Sequence, residues 1–79
     1  MLSRTGESGL VYQYGSATLG TGGSVTVSTE TPAGAAIVVW KATVTDTAAP
    51  AVVSQSTTSF KIQSASGTDN DVVNYLVIP

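Results

Sequence analysis

The segment DVVNYLVIP (71–79) constrains the fold most, because Val73, Tyr75 and Val77 alternate with Val72, Leu76 and Ile78, with Asn74 the one polar exception. A strand formed here is apolar on both faces, and such a strand is covered on both sides when folded. In a chain of 79 residues the second cover is expected from another subunit. Just before it, SFKIQS places Phe60 and Ile62 on one face and Lys61 and Gln63 on the other. GTDND (67–71) then reads as the hairpin turn joining the two strands, since Asp and Asn hydrogen-bond their own backbone in turns.

A single domain of this length buries only about 60–65% of the surface its unfolded chain exposes. Disulfides or a metal commonly compensate, yet the chain has no Cys and no His. Oligomerisation, or docking on a larger surface, is the remaining expectation. The lack of thiols leaves the redox compartment open.

Upstream, the alternating pattern is that of β-structure throughout. Residues 1–14 read as an extended N-terminal arm ending in a short strand, VYQY, with Tyr12 and Tyr14 on one side and Val11 and Gln13 on the other. The rest, 15–79, reads as the β-domain proper. Within it, a short strand Ala17–Leu19, a GTGG turn and the strand SVTVS form an expected hairpin, with Val25 and Val27 inward. TETPAG is a loop whose Pro32 cannot donate to a ladder. AAIVVWKATV is expected as the longest strand, with Val38, Trp40, Ala42 and Val44 on the face toward the core and Ile37, Val39, Lys41 and Thr43 on the other. A second Pro-bearing loop, TDTAAPA, the strand VVSQ and the turn STTS lead to the terminal pair. The whole is all-β, a small antiparallel β-sandwich or barrel of about six or seven short strands with an extended N-terminal arm.

Composition argues against several functions. Three cations, Arg4, Lys41 and Lys61, are too few and too scattered to neutralise phosphates, so a nucleic-acid partner is not expected. The N-terminus lacks the apolar core of a signal peptide, and the longest apolar run, AGAAIVVW, is too short to span a membrane. The chain is therefore expected to be soluble and not conventionally secreted. Without His or Cys, catalysis would fall to Ser, Thr, Lys or paired carboxylates. No Ser lies in a G-x-S-x-G elbow, and Asp69 and Asp71 sit in one turn rather than on facing elements. An enzyme is not expected, nor is a cofactor. Alternating oxygen ligands in GTDND could bind Ca²⁺, but the glycine and distal Glu of an EF-hand loop are missing. The glycines at 20, 22 and 23 have no following helix or Lys for a phosphate, which leaves a turn.

Two stretches, GSATLGTGGSVTVSTE and TTSFKIQSASGTDNDVVNYLVIP, resemble a group of small tailed-bacteriophage virion proteins and fibre-end domains. The matching positions are Gly15, Ala17, Thr18, Leu19, Val25, Thr26 and Val27, then Phe60, Ile62, Ser64, Asp69, Val73, Tyr75 and Val77. The ending is also similar to the last two strands of H-type lectin domains, six-stranded sandwiches that trimerise and bind sugars. Tyr75 stands where that family usually has Trp, and no sugar-binding residue can be placed.

The resemblance implies a capsid decoration (cement) protein on the outside of a phage head, made in the host cytoplasm. Its partners would be the major capsid protein and its own copies, as a homo-oligomer and by the resemblance a trimer. The alternative is a fibre-tip, receptor-binding or head-fibre module recognising a host glycan, although no shaft is present here. Expected capsid or subunit contacts are Leu2, Leu10, Tyr12, Tyr14, Trp40, Tyr75 and Val77. Tyr12 and Tyr14 are assigned there as anchors beside a non-periodic arm. Trp40, Phe60 and Tyr75 are expected in the core or at a subunit interface.

Overall fold

The computed structural model describes residues 2–5 and 11–79, with side chains from Tyr12 onward. Seven strands follow one another: β1 (Leu2–Thr5), β2 (Val11–Thr18), β3 (Ser24–Ser28), β4 (Ala36–Lys41), β5 (Pro50–Gln55), β6 (Ser59–Ser64) and β7 (Val72–Ile78). They form two antiparallel sheets, one in the order β1-β2-β7-β4 and one in the order β3-β6-β5. The protein is an all-β sandwich. No described helix is long and apolar enough to cross a membrane.

Period-two alternation sets what lies between the sheets. Phe60, Ile62 and Ser64 of β6 face inward, as do Val73, Tyr75 and Val77 of β7, and Leu19 and Val27 complete the buried set. Phe60 and Tyr75 meet edge to face across the sandwich, ring centroids 5.3 Å apart at 73°. Such a pair contributes about 0.5–1.5 kcal/mol beyond the area it buries.

Pairing departs from the sequence-based expectation in several places. β6 and β7 do not form a hairpin: β6 lies between β3 and β5, β7 lies between β2 and β4, and residues 65–71 cross from one sheet to the other. The GTGG segment is likewise a crossover, a short 3-10 turn carrying the chain from β2 to β3 in the opposite sheet.

β2 also runs unbroken through Gly15, where two short strands were expected. Gly15 pairs with Tyr75, and a Cβ there would lie 2.8 Å from the Tyr75 hydroxyl oxygen. The missing side chain is what lets the ring lie against the strand. Leu2–Thr5, expected as part of an extended arm, forms β1 and pairs in register with β2, Leu2 opposite Tyr14 and Thr5 opposite Val11. Leu10 lies outside the described residues.

Orientation of β4 is the reverse of the expected one. Ile37 and Val39 pack on the core, while Val38 and Trp40 face outward. The register explains this: Val39 pairs with Tyr75 and Ile37 with Val77, both inward-facing, so alternate residues of β4 are committed to the other side.

Candidate functional site

Lys41 ends β4 in phase with Ile37 and Val39 and so turns its side chain inward, at the end of the sandwich where the crossover 65–71 passes. Its Nζ donates to Asp69 Oδ2 at 2.7 Å, to Asp71 Oδ2 at 3.0 Å and to the Asp46 carbonyl at 2.9 Å. All three ammonium protons are thereby used. Ser64 Oγ donates to Asp69 at 2.6 Å, and the Asp71 amide donates to the other Asp69 oxygen at 2.9 Å. Asp71 also accepts from the backbone amides of Thr45 and Asp46 and from the Thr45 hydroxyl.

These contacts dictate the charge states. Hydrogen bonds from the Thr45 hydroxyl and the Asp46 amide, with Lys41 beside them, hold the Asp71 carboxyl far below the usual carboxylate range against the opposing effect of burial. Burial alone would raise Asp69, but Lys41, Ser64 and the Asp71 amide outweigh it and lower its pKa. Burial alone would likewise lower Lys41, and its two carboxylate partners raise it instead.

This cluster ties the loop after β4 to the crossover before β7. Lys41 takes the place a cation would have between the two carboxylates, so the Ca²⁺ reading of GTDND has no open ligand set. Among the described residues no group of three or more His, Cys, Asp or Glu could hold a metal. Asp69 and Asp71 are buried and fully engaged, and neither presents an oxygen to a substrate. The sequence offers only the parts of this lock, a lone Lys in phase with Ile37 and Val39 and two Asp shortly before the strongest strand, while their meeting is set by the fold.

A different surface is open. On the outer face of the four-stranded sheet Tyr12, Tyr14, Val38 and Trp40 are 41%, 42%, 46% and 47% exposed. The register places Tyr14 and Val38 on either side of Leu76, and Ser16 and Trp40 on either side of Asn74. Val72, Leu76 and Ile78 are half-buried, shielded by their cross-strand neighbours alone. Among the described residues, none forms a second layer over the outer side of β7.

Of the contacts expected from the sequence, the structure brings Tyr12, Tyr14 and Trp40 together on this one face. Tyr75 and Val77 are 5% and 0% exposed and belong to the chain's own core, which for Tyr75 is one of the two places expected and for Val77 replaces the expected contact. At the end opposite the ionic cluster, Thr31, Ala33, Gly34, Gln55, Ser56 and Thr57 line a shallow open depression of about 250 Å³. No charged side chain lines it.

Searches against family models, curated proteins and solved structures give no match to the chain.

Proposed function

We propose that the chain is a non-catalytic structural protein of a bacteriophage virion, a capsid decoration (cement) protein present in many copies on the head exterior. The observation that carries the reading is the aromatic outer face formed by β2, β4 and β7, on which no described side chain is ionised. Large exposed apolar patches on small domains mark contacts with other macromolecules. The one buried ionic cluster described is closed on itself, so what remains open is a surface suited to packing rather than to chemistry.

The same reading accounts for economy of means. A cement protein needs a rigid small body and contact surfaces, and a sandwich with an internal ionic lock supplies the body. The resemblance of the strand-forming segments to small virion proteins points the same way.

Mass-spectrometric quantification of this protein in purified particles, relative to the major capsid protein, tests the proposal. Copies in step with the major capsid protein are expected. A handful per particle would move the assignment to a fibre or tail part, and absence from particles would overturn it.

A further inference from the structure

Three features of the described molecule are not consumed by its core. The shallow depression at one end is open and lined by small neutral side chains. The Lys41 cluster has no spare proton or free oxygen directed outward. On the outer face of the four-stranded sheet, by contrast, Tyr12, Tyr14, Val38 and Trp40 stand exposed beside one another. We propose that this face packs against the same face of a second copy of this chain, forming an isologous dimer.

Charge argues for a like partner. The chain carries a formal charge of −2, yet none of the described outward-facing side chains of β2, β4 and β7 is ionised. Asp46, Asp69 and Asp71 are gathered at one end, and Lys61 lies on the other sheet. Across β2, β4 and β7 two copies can therefore meet face to face without opposing like charges, and the one charged residue in register with that face, Arg4 opposite Tyr12, belongs to the edge strand β1. A surface built for a charged partner would carry the complementary sign.

Area argues the same way. Four strands about 4.8 Å apart and about seven residues long make a footprint of roughly 19 by 23 Å. Roughened by side chains, such a face presents on the order of 600–800 Å² of accessible surface, near the share each partner brings to a standard interface. Its centre holds Tyr14, Leu76 and Val38 in one cross-strand row with Trp40 beside it, and Tyr and Trp are among the residue types that dominate binding energy at interface centres. Stacked sheets would pack about 10 Å apart with strands within about 30° of parallel.

Stoichiometry follows from shape. One flat patch can meet one copy of itself, and the contact closes after two subunits, whereas a ring of three needs two different patches on each chain. The pairing is thus a dimer, not the trimer implied by the resemblance. This inference deepens the structural-protein reading by naming what covers the face. It fails separately, because a dimer missing from virions would overturn only the virion assignment.

Sedimentation of the full chain tests it, read together with the emission of Trp40, the only tryptophan. The expected result is twice the chain mass of 8.0 kDa at tens of micromolar, with Trp40 emission shifting to the blue in step with mass as concentration rises. Tyr14→Lys and Trp40→Lys should each weaken association by roughly tenfold or more. Val53→Lys, at an exposed position of β5 in the other sheet, should leave it unchanged. Circular dichroism checks that the variants fold. A monomeric wild type, a threefold mass, dimers unaffected by both lysine variants, or Trp40 emission independent of concentration would each overturn the proposal. The last of these needs no variant at all.

Discussion

Lys41 is the residue on which most of the polar architecture converges, and its removal has a pH signature. In the wild type the lowered carboxylates contribute stability above their unfolded pKa of about 3.9, and that contribution is lost as pH falls through the folded values. Stability should therefore be flat from neutrality to about pH 4 and fall only below it. The raised Lys41 contributes fully below about pH 10.4 and loses its contribution as pH rises through its folded pKa. Lys41→Met removes the cation between Asp69 and Asp71, so burial then raises Asp69, and one carboxylate favours its neutral form. The variant should melt lower at pH 7, and its deficit should narrow toward pH 4, read by thermal denaturation at both pH values. A deficit constant with pH would contradict the coupling. Gly15 gives a second prediction at this scale. Gly15→Ala should cost about 1–3 kcal/mol by overpacking, and Tyr75→Phe, which removes the atom 2.8 Å from the new Cβ, should return part of that loss. A double-mutant cycle in denaturant gives the coupling, and simple additivity would show the ring is not what the glycine accommodates.

Among the elements, strands were legible and their partners were not. Alternation in β3, β6 and β7 reveals which side chains face inward, because one face of each meets the core. Trp40 misleads, since the largest apolar side chain in β4 is expected inside, whereas register with β7 assigns the inner face to Ile37 and Val39. Short Gly- or Asp-rich links look the same whether they turn a hairpin or cross between sheets, so the GTGG and GTDND segments gave no sign of the change of sheet. Likewise the ionic lock depends on a Lys and two Asp separated by 28 and 30 positions, a contact only the folded chain makes. The first crossover can be tested at Gly22 and Gly23, whose φ values are 74° and 72°. A Cβ on Gly22 meets nothing, but one on Gly23 would lie 2.1 Å from the Ser66 carbonyl oxygen in the second crossover. Gly22→Ala should cost about 1–2 kcal/mol for its left-handed backbone, and Gly23→Ala about 3 kcal/mol or more beyond that, in the range of disrupted packing. Equal losses in denaturant melts would mean that the two crossovers do not support one another.

The whole molecule is a compact body with a small interior. Its accessible surface of 4499 Å² is close to the roughly 4,450 Å² of a folded monomer of its mass, which hides only about 60% of the unfolded chain's surface. Among the described residues seven apolar side chains form the buried core, without disulfides or a described metal group to reinforce it. One side of the four-stranded sheet meanwhile leaves its aromatic face uncovered. We predict that this face is covered in the working form and that its coverage contributes to stability. Anything that binds the folded state alone raises its melting temperature by mass action. Calorimetry of the full chain across a hundredfold range of protein concentration tests the claim most directly. The midpoint should climb with concentration in the wild type and stay fixed for Trp40→Lys. A wild-type midpoint independent of concentration, with the protein folded and monomeric throughout, would contradict it.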